Sequence, residues 1–310
     1  LAIPGYTLPS HTILSGKLLE QENARIEKKI DNDLEKAENL ILSDSIYNYV
    51  ITTPKRKEYL IKLRSYNVES QTGKFMADEI QKILRSIGLT KFAAIVTDHG
   101  SNLRVARQII HKEYPFILNL RCASYAINLI TLDLAKIDSV KIIIANCNSI
   151  LEFFNRSHIA NGHYKEQMAA MKIKGGEIQT YTKTRWGSLF IITDSIIQSK
   201  PVFDWLINNY PEVISSNNIF NLLQNEEFYS KCRQIASILK PVKELTNILE
   251  ASNANLAECF IGLIKLATNI NRIDTTNQWK TLMINNFNHR FDDFINEIYI
   301  LAYWLHPLYH

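Results

Sequence analysis

Residues Lys91–Asn102, KFAAIVTDHGSN, constrain this chain more than any other stretch. Phe92 to Val96 are mostly apolar and favour β structure, and they run straight into Thr97 and Asp98. Gly100, Ser101 and Asn102 follow, and then a helical period begins. The pattern predicts a short buried strand, a carboxylate at its end, a turn and a helix start. Open α/β sheets place their chemistry at the C-terminal ends of strands, which makes Asp98 the first candidate site residue. The alternative is that Asp98 only caps the helix behind it. His99 and Asn102 read as turn and helix-start residues.

The flanking sequence sets the order of elements. Leu1–Ser15, with Pro4, Gly5, Pro9 and Ser10, reads as an irregular arm. Ser15–Asn39 carries Leu18, Leu19, Ile26 and Ile30 at roughly helical spacing. An additional strand is expected near Asn39–Ser43. Ser45–Thr53 and Glu58–Val68, separated by Pro54-Lys55-Arg56-Lys57, form a β-hairpin. Lys74–Ser86 has Phe75, Met76, Ile80, Ile83 and Leu84 on a helical period, with Gly88 as its stop. The Asp98 strand, a helix through Ile110, and a strand over Phe116–Cys122 complete this half. Three antiparallel strands followed by βα units are the order of an RNase H-like mixed sheet. After Ala123 the chain reads as helical, over 123–136, 139–155, 164–173, 187–199, 202–210, 226–251, 256–271 and 287–304. Lys174-Gly175-Gly176 and Ser215–Asn218 read as loops. Trp279, Trp304, Tyr303 and Phe291 read as helix-packing core. The expected organisation is an RNase H-like α/β core over residues 1–160 and a mostly α-helical insertion domain over 161–310.

Composition narrows the function classes. The 310 residues carry a formal charge of +4, a balance that permits a nucleic-acid partner without demanding one. Cys122, Cys147, Cys232 and Cys259 are far apart and show no CxxC pairing, so they read as reduced thiols in an intracellular protein. The histidines lack metal-ligand spacing, and no zinc site is assigned. No apolar run reaches membrane-spanning length, and the N-terminus has no secretory pattern. Without an initial Met, and ending at Tyr309-His310, the chain reads as a segment of a longer product.

Several motifs carry a resemblance. IVTDHGSN (Ile95–Asn102), NLRCASYAINLI (Asn119–Ile130), TKTRWGS (Thr182–Ser188), LAYWLHPLY (Leu301–Tyr309) and the opening PGYTLPSHTILSGKLL (Pro4–Leu19) follow one another in an order similar to that of hAT transposases, in particular their transposon-derived domain-of-unknown-function branch. The resemblance spans nearly the whole chain and implies an RNase H-like core interrupted by helices. It also implies DNA cutting and joining by two divalent metals, Mg²⁺ or Mn²⁺, held by two aspartates and a glutamate. Asp98 matches the second aspartate. Asp44 is the candidate for the first, and would sit in a tight turn between Leu42 and Ser45, where a carboxylate more often caps backbone amides. The glutamate is expected beyond His310. Glu250, Glu258 and Glu297 do not match its motif, and Tyr125 stands where a Cys-x-x-His pair would have its histidine.

Arg185 and Trp186, with Lys183 and Lys174 nearby, are the candidate DNA contacts. Their structural alternative is a packed Trp beside a solvated Arg. The expectation is thus a transposase-derived pseudo-enzyme lacking a complete acidic triad, nuclear, with DNA as ancestral partner and no small-molecule cofactor beyond Mg²⁺ or Mn²⁺ if active. The alternative is a domesticated DNA- or protein-binding module that does not cut.

Overall fold

The computed structural model describes residues 17–37, 40–45, 48–64, 71–173, 178–182, 187–251 and 253–309. The expected N-terminal arm lies outside them. The chain divides into two compact units, Leu1–Cys122 and Ala123–His310.

The first unit is built on a five-stranded sheet in the order β3-β2-β1-β4-β5. Its strands are β1 (Leu40–Ser45), β2 (Asn48–Thr52), β3 (Glu58–Leu63), β4 (Phe92–Thr97) and β5 (Leu118–Arg121). β1, β2 and β3 pair antiparallel in sequence. β4 lies parallel to β1, and β5 parallel to β4. Parallel neighbours need crossovers, and helices α2 (Gly73–Ile87) and α3 (Ser101–Glu113) supply them; α1 (Lys17–Glu35) precedes the sheet. This is the RNase H-like order expected from the sequence.

The local causes are legible. Thr72 Oγ accepts the Phe75 amide at 3.2 Å to start α2, and Gly88, at φ 120°, ends it in a conformation closed to side-chain-bearing residues. Met76, Ala77, Ile80, Ile83 and Leu84 form one face of α2. That face joins Leu40, Leu42, Tyr49, Ile51, Phe92, Leu103, Ala106 and Ile110 in a single buried cluster. Gly73 is needed at the α2–α3 crossing: a Cβ there would lie 2.5 Å from Val105 Cβ and Cγ1 and 3.0 Å from the Asn102 carbonyl.

The second unit is helical: α4 (Ala123–Ala135), α5 (Asp138–Arg156), α6 (His158–Ala170), α7 (Ser188–Asn209), α8 (Asn217–Leu223), α9 (Glu226–Leu249), α10 (Leu256–Arg272), α11 (Lys280–Phe294) and α12 (Glu297–Trp304). Residue 160 is not where the compact units divide. α4 and α5 bury Ile127, Ile130, Ile143, Cys147 and Phe154 in the apolar cluster of the helical half. Other departures are local. α7 runs unbroken through Pro201. α8 occupies part of the expected Ser215–Asn218 loop, and Asn296 caps the Ile298 amide at 3.1 Å, dividing the expected 287–304 helix in two. Trp279 is core, 4% exposed, and donates its Nε1–H to Ser139 Oγ. Trp304 is not: it ends α12 at 62% exposure.

Candidate functional site

The residue that organises the site is Thr97, the last of β4. In the parallel registers Asp44 of β1 lies opposite it on one side and Arg121 of β5 on the other. The Cys122 amide donates to the Thr97 carbonyl at 2.9 Å, extending the β4–β5 ladder by one bond. Asp44 is therefore a strand residue and not a turn residue. β1 pairs with β2 out to Ser45↔Asn48, which places Asp44 inside the paired strand; positions 46 and 47 lie outside the described residues. Neighbouring strands are about 4.8 Å apart and residues rise about 3.3 Å along a strand. The Asp44 and Asp98 backbones are thus about 6 Å apart by that geometry. The side chain of Asp44 lies outside the description.

Asp98 follows Thr97 directly. Its Oδ1 accepts the Gly100 amide at 2.9 Å, closing an Asx turn that aims the chain into α3. A side chain at 100 would crowd that turn, since a Cβ would come 3.1 Å from Asp98 Oδ1 and 2.9 Å from Asn102 Oδ1. Asn102 spans two elements: Nδ2 donates to the Gln71 carbonyl at 3.1 Å and Oδ1 accepts the Leu103 amide at 3.0 Å. One carboxylate oxygen of Asp98 thus serves the turn; Gly100 is the N-cap of α3 and no side chain caps that helix.

Arg107 was not singled out by the sequence. It projects from α3 and is 1% exposed. Its Nε donates to Asn119 Oδ1 at 2.8 Å, and its Nη1 donates to the Asp98 carbonyl at 3.1 Å and to Thr97 Oγ. Burial pulls its pKa down to about 10; the charges of Arg121 and Arg104 act in the same direction, and Asp98 acts against them. The guanidinium remains charged at neutral pH. One signal pointed to it: Leu103, Arg107 and Ile110 share the apolar stripe of α3, and an arginine inside such a stripe must be paired.

Among the described side chains, Asp98 is the carboxylate at this strand end, and it shares the edge with the Arg107 cation. Among the described residues no group of three His, Cys, Asp or Glu side chains could hold a metal. A divalent ion on Asp98 would be repelled by the fixed Arg107 cation, whose charge already interacts with that carboxylate. Lys174, Lys183, Arg185 and Trp186 lie outside the described residues.

The fold and this strand end define an RNase H-like α/β unit with a charged C-terminal sheet edge, followed by a helical unit. Residues 9–150 match the family described as Domain of unknown function (DUF659), a stretch covering the whole sheet, the first helix of the helical unit and most of the second. No curated protein matches the chain. No helix among the described residues is long and apolar enough to cross a membrane.

Proposed function

We propose that this chain derives from a hAT-type transposase and now holds DNA without cutting it. The observation that carries the reading is the row Asp44, Thr97 and Arg121 across β1, β4 and β5. It sets Asp44 and Asp98 at adjoining strand ends, where the ancestral enzymes keep two of their three acids. The ancestral chemistry would take Mg²⁺ or Mn²⁺ there, with two metals stabilising the attacking and leaving oxygens of a phosphodiester. Here Arg107 stands against that edge and Asp98 serves a turn, so the edge retains the ancestral layout without the cation site. The charge of +4 suits a polyanionic partner. In this reading Lys174, Lys183, Arg185 and Trp186 are DNA contacts, and the protein works in the nucleus.

The test pairs two measurements on the purified chain. Anisotropy of a labelled DNA duplex should show binding that weakens steeply with salt. Supercoiled plasmid incubated with Mg²⁺ or Mn²⁺ should stay supercoiled. Metal-dependent nicking that Asp98→Ala abolishes would restore the enzyme reading. Absence of duplex binding at low salt would leave the protein-partner module in its place.

A further inference from the structure

We infer that the C-terminal edge of β4 and β5 is a phosphate-holding site, formed by Arg104, Arg107 and Arg121 and working without a divalent cation. The inference deepens the nucleic-acid reading and rests on it for the ligand's source, the phosphodiester backbone.

Arg107 supplies the floor of the site. It is almost fully buried, and bonds to Asn119, Thr97 and the Asp98 carbonyl hold its guanidinium in one orientation. A cation so fixed cannot swing out to solvent, so its charge is a permanent feature of the strand end. Arg121 lies in register with Thr97, whose hydroxyl receives the Arg107 Nη1, and is half-buried at the last position of β5. Arg104 sits three residues before Arg107 on α3, hence on a neighbouring part of the same helix face, and is exposed. The three guanidinium groups therefore grade from buried through half-buried to exposed around one strand end.

Among the described side chains the opposing charge comes from Asp98. Asp98 comes from the end of β4, with Oδ1 engaged by the Gly100 amide, and Asp44 comes from β1. Among the described side chains, Arg104, Arg107 and Arg121 outnumber Asp98, which leaves a positive balance at this edge. Guanidinium groups match the oxygens of a phosphate with paired donors, and Arg is the residue of choice where such recognition is geometric. This arrangement reverses the ligand preference of a two-metal centre: the protein supplies the positive charge, and the carboxylate becomes a weakly opposing group instead of the principal donor.

That reversal gives a test of opposite signs. Duplex affinity is measured by anisotropy across a salt series for the wild-type chain, Arg104→Gln, Arg121→Gln, Arg121→Lys and Asp98→Asn. Each glutamine variant should weaken binding and lower the slope of log affinity against log salt by about 1. Arg121→Lys should keep the slope and lose part of the affinity, which separates a lost phosphate contact from a damaged fold. Asp98→Asn keeps the oxygen that accepts the Gly100 amide, and should strengthen binding several-fold. Weakened binding in Asp98→Asn, or unchanged slopes in both glutamine variants, would overturn the site. If slopes are unchanged while the wild-type chain still binds duplex, the site fails and the nucleic-acid reading stands. A calorimetric titration with inorganic phosphate identifies the source: heat lost in Arg121→Gln with no duplex binding by the wild-type chain would keep the site and remove the nucleic-acid reading. Duplex binding with no response to free phosphate assigns the site to the polymer backbone.

Discussion

Gly73→Ala is the sharpest test of how the site is held in place. Two effects compete. Alanine favours a helix interior over glycine by about 0.8–1.0 kcal/mol, and by less at Gly73, the first residue of α2. Against that, the new Cβ would lie 2.5 Å from Val105 Cβ and Cγ1. Ordinary contact begins near 3.4 Å, so α2 and α3 must part by about 1 Å, and overpacking of this kind costs about 1–3 kcal/mol. The clash should win, with a net loss of about 1 kcal/mol. The same Cβ would lie 3.0 Å from the Asn102 carbonyl, so the displacement falls on the segment that carries the Asp98 turn. Val105→Ala cannot relieve it, because the Val105 Cβ remains. Val105→Gly can, and since Val105 is 40% exposed its own cost should be about 1 kcal/mol, mostly backbone entropy. The double variant should therefore be more stable than the two single losses predict, by about 1 kcal/mol or more. All four tryptophans lie in the second unit, so fluorescence would report on the wrong half. Hydrogen exchange of the β4 amides in increasing urea reads the first unit directly. A stabilised Gly73→Ala, or strict additivity in the double variant, would refute the close crossing.

Two further predictions concern ionisable groups. The Tyr59 phenol donates to the Asp33 carboxylate, and that bond, followed by burial and the Asp33 charge, lifts its pKa from 10.0 to about 12. A phenol raised in the folded state loses its proton later than in the unfolded chain, so the stability it contributes is present below pH 10 and is lost between 10 and 12. Asp33→Asn should shift one tyrosine back towards its usual range in an absorbance titration; an unchanged curve would contradict the pairing. Cys147, Cys232 and Cys259 are buried, and a hydrogen bond with Cys232, then burial, raises the Cys147 thiol well above its usual range. A thiol reagent should label Cys122 first and reach the other three only on denaturation; rapid labelling of two or more in the native protein would contradict that burial.

Much of the first unit was legible because its signals are local. The Asp98 strand, the Gly88 stop and the hairpin each follow from a few adjacent residues, and the sheet order follows from their sequence. The turn expected at Asp44 was misplaced because Ser43-Asp44-Ser45 carry turn-favouring side chains and yet pair as a strand with β2. Pro201 shows tertiary packing overriding a local rule. A proline inside a helix costs about 3 kcal/mol, yet Ile196, Val202 and Phe203 on either side are each fully buried. Burial of such side chains contributes about 1.5–3 kcal/mol apiece, which outweighs the missing hydrogen bond. The starts of α6 and α8 had available signals in Ser157 and Ser216, whose hydroxyls accept the Ala160 and Ile219 amides. The arginine cluster was the least legible part. Arg107 and Arg121 come from a helix and a strand that only the sheet register brings together, and no linear motif encodes that meeting.

If, as proposed, this RNase H-like strand end holds anions and not divalent cations, Mn²⁺ should find no site on it. The direct measurement is electron paramagnetic resonance of Mn²⁺ titrated into the purified chain. The free-ion signal should rise in proportion to added Mn²⁺, with the wild-type and Asp98→Asn titrations superimposed. A bound fraction in the wild type that disappears in Asp98→Asn would contradict it and return Asp98 to its ancestral role as a metal ligand.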